Sequence, residues 1–245
     1  MKANYSYIYL AFFLLLNIFN FVDRNLLIAF APQIKSEFNL TNVQWGLLTG
    51  VYFLFFYSVF GILMGVLGDK FSRMKIAAAG VFLWSLMTAL TGVAKNFSHL
   101  IVARALIGVG ESALTPNAIS MLSDLFNQNK RGTASAIYYL GIPLGVGFGM
   151  LIAAFFGPVF GWRAVFITLG LIGMGLGIVT YFLLEPKRGQ LDVSFDEDNK
   201  SASIREIVGM TKHALYNSKC LTFAIIGSIF LHIPLGAGNL SLIHI

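Results

Sequence analysis

Residues 6–30 read SYIYLAFFLLLNIFNFVDRNLLIAF, from Ser6 to Phe30, and within them only Asp23 and Arg24 carry charge. A helix needs about 20 mostly apolar residues to cross a bilayer core. This run is long enough, yet it holds an acid and a base side by side. At a helix centre each such ionised group costs roughly 2.5–3.5 kcal/mol. The end of the run, Ala29-Phe30-Ala31, looks like a leader-peptide cleavage site. Three features speak against a leader: Pro32 would follow the cut, the apolar stretch is too long, and Asp23-Arg24 interrupts it. The run is therefore expected to be a membrane span whose charges have a purpose.

Further apolar runs follow at about 43–67, 76–95, 99–123, 133–157, 164–184 and 219–239. The 245-residue chain is 57% hydrophobic and 11% charged, with a mean hydropathy of +0.76. A soluble domain carries about 25% charged residues, so this chain's exterior is suited to lipid rather than water. The 25 glycines and 23 phenylalanines fit that solvent, because Gly lets membrane helices approach closely and Phe faces lipid cheaply. The expected fold is an all-α membrane protein. A six-helix bundle occupies 1–184, a linker 185–218, and a seventh helix 219–245. The linker carries the acidic cluster Asp192, Asp196, Glu197 and Asp198, and its 203–215 stretch has the pattern of an amphipathic surface helix. The last residues, from Asn239 to Ile245, end without a polar cap, as expected of a truncated chain.

The net charge of +6 could be read as a nucleic-acid surface, but its distribution favours a membrane bias. With the N-terminus inside, the cytoplasmic segments hold Lys2, Lys70, Arg73, Lys75, Lys130, Arg131, Lys187 and Arg188. The opposite segments hold only Lys35, Lys95 and Arg163. This places the N-terminus in the cytoplasm, and a bacterial inner membrane is the expected location. A single cysteine, Cys220, excludes an intramolecular disulfide. No metal-ligand cluster is legible, and no cofactor is expected.

Packing signals are dense. Gly61 and Gly65 form a small-xxx-small pair in the second span, Gly141, Gly145 and Gly149 another in the fifth, and Gly170, Gly173 and Gly177 line the sixth. Pro116 and Pro143 are expected to kink their helices. A fifth helix carrying both Gly repeats and a proline is suited to bending or rocking.

The chemistry lies in the intramembrane charges. Asp23, Arg24, Arg104 and Glu111 would together cost on the order of 10–14 kcal/mol unpaired. Two opposite-charge pairs near 4 Å would recover about 4 kcal/mol each at an effective dielectric of 20. Arg104, Gly108, Glu111 and Thr115 fall on one helix face, and Asn17, Asn20 and Arg24 on another, with Asp23 beside them. Two polar stripes on two apolar helices are expected to face each other or a shared wet cavity. A carboxylate that meets a guanidinium in one conformation and loses it in another would bind and release a proton. Tyr52, Phe53, Phe56, Tyr57, Tyr138 and Tyr139 are candidates to line the cavity, against a plain packing or lipid-facing role.

After the second span comes Gly65-Val-Leu-Gly-Asp69-Lys70-Phe-Ser-Arg73-Met-Lys75. Gly65, Leu67, Asp69, Lys70, Arg73 and Lys75 match a loop motif, so this string resembles the major facilitator superfamily. Arg104-Ala-Leu-Ile-Gly-Val-Gly110-Glu111, the Gly/Pro pattern of the fifth helix and Glu185-Pro186-Lys-Arg-Gly189 fit the same family. Asp23-Arg24, Gly110-Glu111-Ser112-Ala113, Pro116 and Tyr139-x-x-Ile142-Pro143-x-Gly145 resemble its spinster-like branch. The resemblance implies a truncated twelve-helix fold of two bundles, a substrate site between them and alternating access. It also implies a cytoplasmic latch of Asp69, Arg73 and Asp124, whose partner bundle this chain lacks. The implied substrates are small amphipathic or anionic organic solutes, with a proton as coupling ion and Arg24 or Arg104 receiving the anion. The alternatives are a sugar-acid or organic-anion symporter, or a non-transporting membrane sensor. A membrane enzyme has no support: there is no His cluster, no Gly-x-Ser-x-Gly and no phosphate-cradling loop.

Overall fold

The computed structural model describes residues 3–189 and 191, and the linker beyond 191 and the expected seventh helix lie outside the described residues. The described elements are helical: α1 Ala3–Ala29, α2 Ala31–Glu37, α3 Asn42–Gly46, a π-helical turn Leu47–Val51, α4 Tyr52–Lys70, α5 Arg73–Gly92, α6 Phe97–Glu111, α7 Leu114–Leu125, α8 Gln128–Tyr139 and α9 Gly141–Phe182. Five helical stretches are long and apolar enough to cross a membrane: Tyr5–Ala29, Asn42–Lys70, Arg73–Gly92, Phe97–Leu125 and Gln128–Phe182. The last has 55 residues, about 80 Å at 1.5 Å per residue and far more than a bilayer. Gly161 divides it, with φ 76° and ψ 160°, a left-handed conformation that favours glycine. The fifth and sixth expected spans therefore meet at Gly161.

Two further breaks lie just before a missing backbone donor. Pro116 and Pro143 each lack the N–H that would bond the carbonyl four residues back, at Ser112 and Tyr139. The fourth span breaks between Glu111 and Leu114, and the fifth between Tyr139 and Gly141, as expected.

Glycine sets how closely the helices cross. A Cβ on Gly80 of α5 would stand 2.6 Å from the Gly110 carbonyl oxygen of α6, so backbone meets backbone there. A Cβ on Gly145 of α9 would stand 2.6 Å from the Ile18 oxygen of α1. The first half of α9 thus packs on α1, and its second half packs on α5 through Gly170, Gly173 and Gly177. Gly65, by contrast, has open space around it, and Gly61 touches only Ser112 at ordinary distance, so this pair makes no close crossing among the described residues.

Two apolar cores result. One gathers Phe13, Leu16, Trp84, Ile107 and Tyr138. The other gathers Leu26, Phe30, Ile34, Trp45, Leu100, Trp162 and Phe166. Along α1 the cores are separated by Asn17 and Asn20, and along α6 by Arg104, all buried. Ser85 and Thr88 continue this buried polar layer on α5, just beyond Trp84.

Candidate functional site

The site is assembled in that polar layer. Arg24 of α1 donates from Nε to Glu111 Oε2 of α6 at 2.5 Å. The Glu111 side chain is fully buried, while Arg24 keeps 21% exposure. Three rings flank the guanidinium: Phe21 at 4.9 Å, Phe53 at 4.9 Å and Tyr57 at 4.6 Å. Gly108 allows this geometry, because a Cβ there would stand 2.7 Å from the Phe53 carbonyl oxygen and push α4 away from α6. The second guanidinium, Arg104, also lies over Phe53, at 4.7 Å. Arg104 makes no ion pair among the described residues, and its Nε has no hydrogen-bond partner.

Asp23 turns elsewhere. Consecutive helical residues point about 100° apart, so Asp23 faces α5 while Arg24 faces α4 and α6. Its Oδ2 is hydrogen-bonded to the hydroxyl of Thr88. The same hydroxyl lies 2.9 Å from the Trp84 carbonyl oxygen. Of the two ion pairs expected from sequence, one is formed, Arg24–Glu111, and Asp23 and Arg104 do not pair with each other. The physical reason is the helical turn between Asp23 and its neighbour, which a stripe read at i, i+3, i+7 does not register.

Among the described residues, the buried side-chain atoms without a hydrogen-bond partner are Asn20 Nδ2, Asp23 Oδ1, Ser85 Oγ, Arg104 Nε and Glu111 Oε1. All but Ser85 belong to residues singled out from sequence. A buried polar atom left unmade costs about 1–3 kcal/mol, and folded proteins keep few of them. These atoms concentrate in one buried layer. Nearby, Asn17 donates to the Tyr138 carbonyl at 2.8 Å, and Tyr138 shares a hydroxyl bond with Thr115 at 3.1 Å. Tyr139 stands edge-on to Tyr138 and is 44% exposed.

The loop motif forms a second cluster at the basic end of the bundle. Arg73 donates to Asp124 Oδ2 at 2.6 Å, to Ser120 Oγ at 2.9 Å and to Glu185 Oε1 at 3.1 Å. Burial pushes the Glu185 carboxyl up, but hydrogen bonds from Ser72 and Arg73 outweigh it and hold the group below its ordinary range. Asp69 contributes its backbone oxygen to Arg188, and its carboxylate joins no ion pair among the described residues. Arg188 also donates to the oxygens of Gly68 and Phe71, at 2.6 Å each, closing the open carbonyl end of α4. Gly189 donates its N–H to Asp124 Oδ1 at 2.9 Å. Sequence reasoning placed Arg73 and Asp124 together but did not assign Glu185 or Arg188 to the network. The cue was their position just past the sixth span. Lys70 ends α4, and Gly65 lies one turn and more before it.

At the opposite end, Glu37 accepts from Trp162 Nε1 at 2.8 Å and from Arg163 Nη2 at 2.5 Å. Arg163 also donates to the carbonyls of Gly92 and Ala94, at 2.9 and 2.8 Å. These bonds from Arg163, first, and from Trp162 hold the Glu37 carboxyl below its ordinary range.

Against known proteins, residues 13–241 match the family model described as Major Facilitator Superfamily. The chain is 33% identical over 180 residues to the sphingosine-1-phosphate transporter SPNS2 of Danio rerio, covering 72% of this chain and 36% of that protein. It is 31% identical over 166 residues to the probable L-galactonate transporter of Escherichia coli (strain K12), covering 68% of this chain and 36% of the relative. Among solved structures, a bacterial homolog of the human lysosomal transporter Spinster, inward-facing and occupied, superposes with a TM-score of 0.69 at 30% identity, covering 78% of this chain and 47% of the other. The chain thus spans about a third to a half of the length of these proteins.

Proposed function

The chain belongs to the Major Facilitator Superfamily, and from that premise we propose that it forms the first bundle of a proton-coupled secondary transporter that moves a small amphipathic or anionic organic solute by alternating access. The observation that carries this reading is the buried polar layer, in which Arg24 and Glu111 pair while Asn20, Asp23 and Arg104 keep unpartnered atoms. An arriving anion has two guanidiniums to meet, with aromatic rings around them for an apolar body. An arriving proton has two carboxylates.

The two acids have different surroundings, which supports different roles. Arg24 can only donate, so Glu111 meets it as an acceptor, and separating them requires something else to take either partner. Thr88 is a hydroxyl with one hydrogen and two acceptors within reach, Asp23 Oδ2 and the Trp84 oxygen. When the hydroxyl hydrogen goes to Asp23, Oδ2 accepts it, which suits the ionised carboxylate. When it goes to Trp84, Asp23 needs a proton of its own to fill the contact. Asp23 is therefore the proton carrier in this account, and the Arg24–Glu111 pair is the element that an anionic solute opens.

A second bundle would supply the other wall of the pathway and the partner of the latch at Arg73, Asp124 and Glu185. A cytoplasmic N-terminus is supported by the concentration of Lys and Arg at one end, and a bacterial inner membrane is the proposed location. A sugar acid is the second reading, favoured by the similarity to a probable L-galactonate transporter. Binding of a lysophospholipid and of a sugar acid, measured with Arg24→Met and Arg104→Met, separates the two. The first reading expects lysophospholipid binding that weakens about tenfold or more in each variant. Tight sugar-acid binding with no lysophospholipid binding replaces it with the second, and binding of neither rejects both.

A further inference from the structure

At the basic end of the bundle, a groove of about 190 Å³ opens between the first turns of α1 and α8. Tyr7 and Leu10 of α1, Phe126 just before α8, and Lys130, Thr133 and Ile137 of α8 line it. The α8 residues recur at i, i+3 and i+7, which is one helix face. Tyr139 comes about two and a half turns after Lys130 and so lies on the opposite side of α8. The groove therefore opens away from the Tyr139 side of the polar layer. Next to it on α1, Ile8 and Leu15 are exposed, an apolar surface suited to lipid.

Polarity runs along the groove in one direction. From Tyr5 to Ala29, α1 has 25 residues, about 37 Å against the ~30 Å of a hydrocarbon core. The start of α1 thus reaches the headgroup level, where amphipathic rings such as Tyr7 settle. Lys130 lies in the first turn of α8, Thr133 one turn further in, and Ile137 about 10 Å deeper than Lys130.

The wall is held and the cation is free. Arg131 donates from Nε to the carbonyls of Ser123 and Phe126, at 2.8 and 3.1 Å. Phe126 meets Tyr7 edge-on at 5.4 Å. Lys130 is exposed, and its side chain makes no hydrogen bond or ion pair among the described residues. None of the residues lining the groove is acidic.

We propose that this groove holds an anionic phospholipid of the surrounding leaflet, with its phosphate against Lys130 and Thr133 and one acyl chain against Leu10 and Ile137. Such a lipid is a resident partner rather than the transported solute, and the inference does not rest on the transport reading. The order of groups decides the occupant. A soluble anion would use the lysine and leave the apolar walls wet. An acyl chain alone would cover the walls and leave the ammonium without a counter-charge. A phospholipid carries both, head outward and chain inward, in the order in which the groove presents them. A zwitterionic lipid brings its own cation beside the phosphate, so an anionic one is preferred by the attraction of one lysine, about fivefold.

The test places the full chain in phosphatidylcholine bilayers with a small fraction of a lipid that carries a photoreactive group in one acyl chain. That lipid is either a phosphatidylglycerol or a phosphatidylcholine, and mass spectrometry identifies the labelled peptides. Label is expected on the peptides holding Leu10 and Ile137, about fivefold more from phosphatidylglycerol. Lys130→Gln should bring the two lipids level, and Lys130→Arg should keep the preference. Lys75→Gln, which removes an exposed lysine beside the Tyr181 ring, should leave it unchanged. Ala134→Phe, which adds a ring to the groove wall, should reduce labelling by both lipids. Lys130→Gln is a surface change and serves where Ala134→Phe fails to fold. Label spread evenly over the exposed apolar faces, equal labelling by the two lipids in the native chain, or a preference that survives Lys130→Gln overturns the site. So does loss of the label to free glycerol phosphate, which would assign the groove to a soluble anion.

Discussion

Replacing Glu111 with leucine removes the acceptor of the Arg24 Nε bond, at 2.5 Å, and leaves the guanidinium against Phe21, Phe53 and Tyr57. Breaking a fully buried pair by deleting one partner costs about 3–5 kcal/mol, because the survivor is left desolvated and unpaired. Arg24 retains 21% exposure, and each ring it keeps contributes roughly 0.5–1 kcal/mol at partly exposed sites. The lower end, about 3 kcal/mol, is expected. For a chain of this size about 1 kcal/mol corresponds to roughly 2–4 °C, so the melting temperature in detergent should fall by about 6–12 °C. The double variant Arg24→Met with Glu111→Leu replaces the pair with apolar groups, a change that is often neutral or stabilising. It should therefore recover to within about 1 kcal/mol of the native chain, a coupling well outside the roughly 0.3–0.5 kcal/mol scatter of independent sites. Additive losses in the double variant would refute the pairing.

Arg73→Ala should cost about 3 kcal/mol by the same reasoning, since it removes the buried cation that Asp124 and Glu185 share, whereas Asp69→Asn should change stability by less than about 0.5 kcal/mol, the ordinary range for a surface substitution; equal melting shifts would contradict this assignment. The clamp at the opposite end is pH-dependent with a definite sign. Glu37 has its folded value depressed by Arg163 and Trp162, so its contribution is present above the unfolded value, about pH 4.3, and is lost as pH falls through the lower folded value. Trp162 emission should change over that acid range, and the change should be absent in Glu37→Gln. Gly80→Ala should destabilise the chain by about 1–3 kcal/mol through overpacking at the Gly110 oxygen. Gly147→Ala, where an added Cβ meets nothing within 4 Å, should instead stabilise it by up to about 1 kcal/mol from helix propensity. Chemical unfolding of both variants checks the contrast.

The spans were legible because lipid imposes a length and a composition that no other environment requires. The kinks were legible at Pro116 and Pro143, since each lacks the N–H that would bond the carbonyl four residues back. Asp23, Arg24, Arg104 and Glu111 could be placed on stripes facing one another or a shared cavity, because charges on apolar helices have few ways to be tolerated, but which of them pair was not legible. What the sequence did not show were the partners of Asp23. Thr88 is an ordinary residue in a membrane helix, and only the rotation of α1 against α5 brings its hydroxyl to the Asp23 carboxylate. The Gly61–Gly65 spacing is a packing pattern, yet among the described residues it makes no close crossing, and Gly61 meets only Ser112 at ordinary contact distance. Glu185 was not assigned to the Arg73 network because that role depends on the end of the sixth span folding back beside Ser72 and Arg73, a contact separated by more than a hundred residues.

The most direct test of proton-coupled solute movement uses vesicles that hold this bundle with a second one, trap a pH-sensitive dye inside, and receive an amphipathic anion outside without a membrane potential. The account predicts that solute addition moves protons across the membrane, that Asp23→Asn abolishes this movement, and that solute still binds in that variant. Proton movement that persists unchanged in Asp23→Asn, or solute flux with no proton movement in the native protein, would contradict it.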